Sequence, residues 1–366
     1  MGFTTEKEAC LALLLAAGGD LRRLKAAVKT HGSALVAISS PSLKTRLKQG
    51  LSRPDNAIQV AQQLAQADSI GARWITPTDD DFPSLLEGHP LLCVRGAIPK
   101  GPSVAIVGTR QADEYGLTIT HALAHALALS GVTVVSGAAT GVDQAAHQAV
   151  LDAGGLTVAI LGTGLMGSSS QEKNDFLDQI AESGAVVSEY LIGARGAQWT
   201  FPVRNILIAE MSQATIVVQA PGKSGALGTA KAAKAAGRPV FAVPGDVVHE
   251  LSKGTNQLIA DGNACLLSRP GELNSVLGID GLQYAPWPSA TRNQALSRVS
   301  TGLGQSLTDA GRILDLLRNR GDLRSDQIEG QLSDLAVPIA ELLLDLELKG
   351  QILRVAGDCY SLSKVG

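Results

Sequence analysis

Short apolar runs alternate with alanine-rich stretches of helical period between residues 104 and 264. The apolar runs predict strands at residues 104–107, 132–135, 157–161, 185–188, 214–219 and 240–243. The stretches between them predict helices at residues 117–130, 144–153, 173–183, 205–212 and 226–236. Strands that alternate with helices are typical of a parallel sheet covered on both faces, so the pattern predicts an α/β fold.

The two ends of the chain differ from this middle part. Residues 1–75 are predicted to form a small helical domain, because leucine- and alanine-rich segments are separated by turn residues such as Gly18-Gly19. Residues 76–284 hold the α/β domain, and residues 285–304, with two prolines and no clear period, are predicted to be a linker. Residues 305–366 carry three helical segments and then strands at 352–354 and 359–362, which resembles a winged helix.

Composition narrows the class of protein. The chain has 366 residues, 45% of them hydrophobic, which is enough for a sizeable core and for two or three domains. Its apolar runs are far shorter than the roughly 20 residues that span a bilayer, and the N-terminus does not resemble a secretory signal, so we expect a cytoplasmic protein without membrane contact. The formal net charge of −3 gives no global attraction to nucleic acid, so any binding of DNA must come from a local basic surface.

The sequence offers no set of residues with catalytic or metal-binding spacing. The four cysteines lie far apart, and His121 and His125 lack a neighbouring glutamate and a third ligand. No nucleophile is accompanied by a base and an orienting acid at a recognisable spacing. We therefore expect no catalytic residue, no metal and no cofactor.

Glycine-containing turns follow two of the predicted strands. Gly108-Thr109-Arg110 ends the first, and the second runs into Ser136-Gly137-Ala138-Ala139-Thr140-Gly141. Ligands of open α/β sheets bind outside the carboxyl ends of strands, where helix N-termini favour phosphate. Small residues let the backbone approach an anion, and the arginine adds a fixed charge. Both turns together predict a phosphate-binding pocket; for each glycine alone, the alternative is a tight turn that any such sheet needs.

A third turn, at Gly162, Gly164 and Gly167, has the G-x-G-x-x-G spacing of dinucleotide-binding proteins, and Glu189 after the following strand stands roughly where the acid that binds ribose would lie. In those proteins the motif opens directly into an apolar helix. Here the polar segment 168–175 follows, so we set the dinucleotide interpretation aside.

A cation lies at the start of a predicted helix. Phe201, Arg204 and Asn205 belong to this segment, and a cation near a helix N-terminus opposes the helix dipole. The position therefore indicates an anionic partner for Arg204.

Lys223, Ser224 and Gly225 form another turn between a strand and a helix. The end of a P-loop motif is similar to Gly222-Lys223-Ser224, but Val217 occupies the position where that motif requires glycine. The turn is therefore expected to contribute to anion binding and not to nucleotide triphosphate hydrolysis.

Taken in order, these segments resemble the DNA-processing protein A (DprA/Smf) family. The matching segments are residues 104–110, 136–143, 188–189, 201–205, 224–230, 241–245 and 254–259. The resemblance implies an extended Rossmann-like domain that binds single-stranded DNA, preceded by a small helical (SAM-like) domain and followed by a winged-helix-like domain.

The resemblance also implies a function and site residues. Members act without catalysis in natural transformation, protect incoming single-stranded DNA, help to load the RecA recombinase onto it and form homodimers. The family's Gly-Ser/Thr-Arg turn of the DNA pocket corresponds to residues 108–110. A family lysine in a Tyr-Pro-x-x-Asn segment corresponds to Lys173, followed by Asn174, although Ser170-Gln171 replaces the Tyr-Pro here.

The C-terminal segment lacks the basic side chains that a DNA-binding domain needs to contact phosphates. Residues 339–349, where the recognition helix is expected, carry three acidic side chains and one lysine. Acidic side chains repel phosphates, so we predict that this domain packs or binds protein and does not bind DNA.

Other interpretations stay open at this point. One is a Rossmann-like enzyme that acts on a nucleotide or its phosphoribosyl group, because related folds do such chemistry, and another is a structural adaptor. The nearest candidates for stacking on DNA bases are Phe201, Trp199 and Tyr190, with core packing as the alternative for all three.

Overall fold

The computed structural model describes residues 3–167, 170–280, 282, 309–332, 339–348, 351–355 and 359–362. The chain divides into two compact units, residues 1–289 and 290–366. The predicted linker, residues 285–304, lies outside the described residues, and the three boundaries between the predicted segments remain predictions.

Five helices begin the first unit. They are α1 (Glu6–Ala16), α2 (Leu21–His31), α3 (Ala34–Ser39), α4 (Thr45–Leu51) and α5 (Asn56–Ser69). Polar side chains cap the first three: Thr5 and Glu8 form a capping box on α1, the Asp20 carboxylate accepts from the second amide of α2, and the Ser33 hydroxyl accepts from the amide of Val36 in α3. Helix α1 is buried from Ala9 to Leu14, and its apolar core continues into the sheet that follows.

A nine-stranded sheet follows these helices. Its strands are β1 (Ala72–Ile75), β2 (Leu92–Gly96), β3 (Ser103–Val107), β4 (Thr133–Ser136), β5 (Thr157–Ile160), β6 (Ala185–Ser188), β7 (Ala214–Val217), β8 (Val240–Ala242) and β9 (Cys265–Leu266). Strands β3 to β9 are parallel, and β1 and β2 add an antiparallel edge beside β6. All six predicted strands are present, with ends that move by at most two residues, so the α/β fold is confirmed.

Helices cover both faces of the sheet, as the buried central strands require. They are α6 (Glu114–Leu129), α7 (Val142–Asp152), α8 (Gln171–Ser183), α9 (Thr200–Glu210), α10 (Gly225–Ala235), α11 (Lys253–Ala260) and α12 (Asn274–Leu277), with two 3₁₀ turns at Glu250–Ser252 and Pro270–Leu273. None of the helices in the described part of the chain is long and apolar enough to cross a membrane.

The strand order, β1-β2-β6-β5-β4-β3-β7-β8-β9, contains one reversal. The chain moves outward from β3 through β4 and β5 to β6, and α9 then returns it to β7 on the other side of β3. The connection that follows β3 and the connection that follows β7 therefore run towards opposite edges of the sheet. In open α/β sheets this reversal opens a crevice at the carboxyl ends of the two strands, where ligands bind.

A buried polar network joins the N-terminal helices to the sheet. The Lys25 ammonium and His89 Nδ1 each lie 2.8 Å from Oε1 of Glu189, and His89 Nε2 lies 2.5 Å from a carboxylate oxygen of Glu210. His89 and Glu189 are almost fully buried. Glu189 therefore has a structural role. Its carboxylate pairs with Lys25 and His89 and is not available to bind the ribose of a dinucleotide.

The second unit combines helices α13 (Asp309–Arg320), α14 (Ser325–Gln331) and α15 (Ile339–Leu348) with strands β10 (Leu323–Arg324), β11 (Ile352–Val355) and β12 (Cys359–Leu362). The strands form an antiparallel sheet of order β10-β12-β11. The unit has its own apolar core, which includes Ile313, Leu317 and Leu346. This arrangement has the helices and hairpin of a winged-helix-like domain.

Candidate functional site

Two adjoining cavities open at the carboxyl edge of the sheet. The first, of about 850 Å³, lies at the reversal between β3 and β7, and the second, of about 450 Å³, lies beyond the ends of β4 and β5. They share four lining residues, Arg110, Ala139, Phe201 and Arg204. We call the two cavities together the crevice.

The crevice brings together most of the residues that the sequence nominated. Those that line it are Gly108, Thr109, Arg110, Gly137, Lys173, Phe201, Arg204, Asn205, Lys223, Ser224 and Gly225. The other three, Ser136, Gly141 and Asn174, do not line either cavity. The Ser136 hydroxyl is buried and donates to the carbonyl oxygen of Ile106 at 2.6 Å, so it supports the sheet.

Arg110 is exposed between the two cavities. Its guanidinium carbon lies 5.5 Å from the centre of the Phe201 ring, within the range of a cation–π contact. Among the described residues, no carboxylate lies within 4.0 Å of Arg110 and none of its guanidinium nitrogens is hydrogen-bonded. The ring therefore orients a cation whose donors remain available to a ligand.

Arg204 lies beneath Arg110 and is only 5% exposed. Its Nη1 donates to the carbonyl oxygens of Gly137 at 2.5 Å and Ile160 at 2.6 Å. Helix α9 begins at Thr200, so Arg204 lies in the second turn and not in the first, where the sequence placed it. The guanidinium thus ties α9 to the ends of β4 and β5 at the floor of the crevice.

The anionic group that faces Arg204 is Asp143, at the start of α7. Burial raises the pKa of the Asp143 carboxyl, and this shift is opposed by the Arg204 guanidinium and by the backbone amides of Ala139 and Gly137. Burial likewise lowers the pKa of Arg204, and Asp143 opposes that change. The amide of Gly137 is therefore directed at a protein carboxylate, whereas the sequence assigned it to the ligand.

Lys173 adds a third cation from the first turn of α8 and lies exposed at the edge of the crevice. Partial burial of its ammonium lowers the pKa of Lys173, and the positive charges of Arg204 and Arg110 lower it further. Arg110 thus disfavours the charge of Arg204, and both arginines disfavour the charge of Lys173. An anion bound among them would relieve this repulsion, which is the electrostatic signature of an anion site.

Close approaches explain the glycines of the turns. A β-carbon on Gly108 would overlap the Val142 side chain, and one on Gly137 would overlap the Arg204 guanidinium. Gly141 has φ +80° and packs against the carbonyl of Thr109, while Ala138, with φ +50°, is a non-glycine residue in the left-handed region. These glycines are needed by the architecture of the site, and the strain is concentrated in the turn after β4.

The wall formed by α10 is less charged. The Ser224 hydroxyl caps α10 by accepting from the amide of Ala226 at 3.3 Å, and Asn205 donates to the carbonyl oxygen of Gly225 at 3.2 Å. Lys223 is exposed at the rim. Lys231 of α10 also lines this cavity and is exposed, so the wall presents two lysines to a ligand.

The three aromatic candidates differ in accessibility. Tyr190 is buried, and its hydroxyl donates to the carbonyl oxygen of Thr200 at 3.1 Å. Trp199 is 59% exposed and packs edge-on against Tyr190. Phe201 lines both cavities, so Phe201 and Trp199 are available for stacking and Tyr190 is a core residue.

Sequence reasoning missed Gln219, which follows β7. Its carbonyl oxygen accepts from the amide of Thr109 at 2.7 Å, and its side chain exchanges hydrogen bonds with Asp113. Gln219 therefore fixes the Gly108-Thr109-Arg110 turn across the reversal of the sheet. A polar residue that interrupts a buried apolar run is the signal that could have revealed it.

The G-x-G-x-x-G glycines also have packing roles. A β-carbon on Gly162 would overlap the Phe201 ring, and one on Gly164 would overlap the carbonyl oxygens of Leu191 and Ile192. These contacts account for the glycines without a dinucleotide. Within the described residues, no three His, Cys, Asp or Glu side chains converge in a metal-binding arrangement.

Fold and site together define a Rossmann-like α/β protein with a crevice lined by cations at its topological reversal. The family model described as DNA recombination-mediator protein A matches residues 73–277, and the chain belongs to this family. It is 37% identical over 223 residues to "Protein Smf" of Synechocystis, a match that covers 58% of this chain and 56% of that protein. The chain thus matches a little over half the length of this curated relative.

Two solved structures have a similar fold. DNA processing protein A from Streptococcus pneumoniae superposes with a TM-score of 0.58 at 26% identity, covering 75% of this chain and 98% of that one. DNA processing protein A from Helicobacter pylori, whose structure is described as showing a single-stranded DNA binding mode, superposes with a TM-score of 0.50 at 28% identity, covering 57% of this chain and 96% of that one.

Proposed function

We propose that the protein binds single-stranded DNA along the crevice and performs no chemical reaction on it. The observation that carries the proposal is the convergence of Arg110, Lys173 and Arg204, with the Phe201 ring beneath Arg110. Arg110 and Lys173 have no carboxylate partner within 4.0 Å among the described residues, so their charges are available to phosphates. A phosphate backbone supplies the anion, and the exposed aromatic rings supply stacking surfaces.

The finer role in this proposal comes from family membership. The protein protects incoming single-stranded DNA during natural transformation, helps to load the RecA recombinase onto it, and acts as a homodimer in the cytoplasm. The single-stranded DNA binding described for the Helicobacter pylori relative supports the choice of ligand.

The chemistry of the crevice supports a non-enzymatic role. The residues that line it include neither histidine nor cysteine among those described, and its carboxylates are Asp143, which faces Arg204, and Glu172 on α8. An enzyme acting on a nucleotide would need a base or nucleophile beside the bound anion. Turnover of a nucleotide by the purified protein would favour that alternative.

The test is binding of a fluorescent oligo-dT of about ten nucleotides, within the site sizes of single-strand binders. Wild type, Arg110→Ala and the matched control Arg269→Ala, at an exposed arginine outside the crevice, are compared across a salt series, with a duplex as competitor. We expect salt-sensitive binding that Arg110→Ala strongly weakens and Arg269→Ala keeps, with poor competition by duplex. Binding that Arg110→Ala leaves unchanged would overturn the proposal.

A further inference from the structure

Residues 21–53 form a strongly basic segment of a chain that is acidic overall. They contain eight of the 31 Lys and Arg residues and none of the 34 Asp and Glu residues. The segment therefore carries a charge of +8 within a chain of net charge −3, and the rest of the chain carries −11. An uneven distribution of this kind concentrates positive potential on one surface.

Helices α2, α3 and α4 fold this segment into a compact surface. Six of its eight cationic side chains are exposed, namely Arg22, Lys29, Lys44, Arg46, Lys48 and Arg53. A cleft of about 600 Å³ opens between α2 and α4 and is lined by Arg22, Arg23, Lys44 and Arg46, with Asp20 as its one acidic residue. We call these six exposed side chains and the cleft the α2–α4 basic surface.

Most of these charges lack an acidic partner. Arg22 and Arg23 pair with Asp20, at 3.2 and 3.4 Å. In the described part of the chain, no carboxylate lies within 4.0 Å of Lys29, Lys44, Arg46 or Arg53. A surface that serves only solubility intersperses charges of both signs, and this one does not.

Four acidic residues lie close to this segment in sequence: Asp20 pairs with Arg22 and Arg23, the exposed Asp55 accepts from the Gln59 side chain, and Glu6 and Glu8 are used inside the fold. Glu6 accepts from the backbone amides of Ala34 and Leu35, at 2.5 and 3.1 Å, and Glu8 completes the capping box of α1. The two glutamates stabilise helix starts and do not compensate the basic surface. Its charge is therefore open to an external polyanion.

We propose that the α2–α4 basic surface is a second DNA-binding site, which contacts the phosphate backbone of duplex as well as single-stranded DNA. Residues 21–53 contain no Phe, Tyr or Trp, so this surface has no aromatic platform for unpaired bases. Contacts confined to phosphates do not distinguish a duplex from a single strand. The site thus differs from the crevice, where the Phe201 ring offers a stacking surface for an unpaired base.

Nucleic acid fits this surface better than a membrane or an acidic protein. Interfacial membrane helices need a broad apolar face beside their cations, and Val36 is the one large apolar side chain that residues 21–53 expose. Protein interfaces bury apolar or aromatic anchors in pockets. The two leucines that line the cleft, Leu43 and Leu47, are buried in the core of the unit, and its exposed lining consists of small or polar residues such as Ala26, Thr30 and Ser42 together with the cations. Hydroxyls, arginines and lysines are the groups that contact phosphate oxygens.

The experiment measures binding of a fluorescent duplex by the full chain in the Arg110→Ala background, so that the crevice is disabled. Lys29→Gln, Lys44→Gln and Arg46→Gln are introduced together. The matched control carries Lys100→Gln, Lys234→Gln and Arg269→Gln, which change the net charge equally outside both sites. Charge-preserving Lys29→Arg, Lys44→Arg and Arg46→Lys test whether charge alone suffices.

We expect Arg110→Ala alone to retain duplex binding and the α2–α4 triple variant to lose on the order of tenfold in affinity at low salt. The slope of log K against log salt should fall by about 0.9 for each phosphate that the variant no longer neutralises. The control and charge-preserving variants should bind like their parent. Equal duplex affinity for the triple variant and its control would overturn the proposal.

Competitors separate the other partners. If a poly-glutamate peptide, or vesicles of phosphatidylglycerol, bind more tightly than the duplex and depend on the same three residues, the surface is not a DNA site. The result is independent of the crevice: loss of oligo-dT binding in Arg110→Ala tests the proposed function, and loss of duplex binding in the α2–α4 triple variant tests this inference.

Discussion

Nη1 of Arg204 donates to the carbonyl oxygen of Gly137 at 2.5 Å, and its guanidinium occupies the place that a β-carbon on residue 137 would need. Two segments far apart in sequence are thereby joined at the floor of the crevice. The absence of a side chain at residue 137 is what allows the arginine to reach the ends of β4 and β5. Arg204 in turn influences the charge of Lys173 above it.

We predict that Gly137→Ala displaces Arg204 and weakens both the fold and the site. Overpacking of a buried position costs about 1–3 kcal/mol of unfolding free energy, and the displaced guanidinium would lose its two carbonyl acceptors. Urea unfolding and oligo-dT binding are the measurements. Gly330→Ala, a helical position with open space around its α-carbon, is the control and should retain both properties. Unchanged stability and binding in Gly137→Ala would contradict the role assigned to this contact.

Lys173 should make DNA binding sensitive to alkaline pH. Partial burial, Arg204 and Arg110 lower the pKa of Lys173, so it loses its proton at a lower pH than an ordinary lysine. The neutral amine cannot pair with phosphate, and affinity should therefore fall as pH rises from about 7 towards 10. Oligo-dA is the suitable probe, because adenine does not ionise in this range.

Two variants isolate this lysine. Lys173→Arg keeps its charge throughout the range, so its affinity should be less sensitive to pH. Lys173→Ala should reduce the salt slope by about 0.7, the value for one phosphate contact on a single strand. A pH profile that is identical in wild type and Lys173→Arg would exclude Lys173 as the titrating group.

The sequence could predict the parts of the site that depend on local pattern. The turns at 108–110 and 136–141 follow apolar strands, and the rule that ligands bind beyond strand carboxyl ends brought Arg110 to the crevice. Arg204 was predicted as a ligand cation from the helix dipole alone. Its burial depends on Asp143 and on carbonyls at residues 137 and 160, which no local pattern reveals.

The sequence could not predict the contact of His89 with Glu189 and Glu210 either, because these residues come from three separated segments. His89 lies in a loop without periodicity, and Glu189 suggested a ribose ligand by its place after a strand. Long-range polar pairing of this kind is decided by the packing of α2 against the sheet. Such contacts need the three-dimensional structure.

We predict that the His89 network makes stability depend on pH near neutrality. Burial alone would lower the pKa of His89, but hydrogen bonds to Glu189 and Glu210 outweigh burial and raise it above its ordinary value. Because the pKa is higher in the folded than in the unfolded state, the contribution is fully present below the unfolded value of about 6.5. It is lost as pH rises through the folded pKa.

The difference in unfolding free energy between wild type and His89→Gln should therefore be largest near pH 6 and should shrink towards about pH 9. Urea unfolding over this range measures it. His125→Gln, which removes a histidine outside the network, is the control. A difference that grows with pH would show that His89 is neutral in the folded protein.

The C-terminal unit should contribute nothing to DNA affinity. Helix α15 carries Glu341, Asp345 and Glu347 and no basic residue, and acidic side chains repel phosphates.

The apolar side chains of Leu343 and Leu346 pack into the unit's own core, so its removal leaves the core of the first unit intact. A chain that ends at Ser289 should bind oligo-dT and duplex with affinities within about twofold of the full chain, whereas Arg110→Ala should weaken oligo-dT binding equally in the shortened and the full chain. The converse measurement is a gel shift with residues 305–366 alone at physiological salt. A shift by that fragment, or a large loss of affinity on truncation, would show that the winged-helix-like domain contacts DNA despite its acidic helix, and the contact would then have to come from another face of the unit.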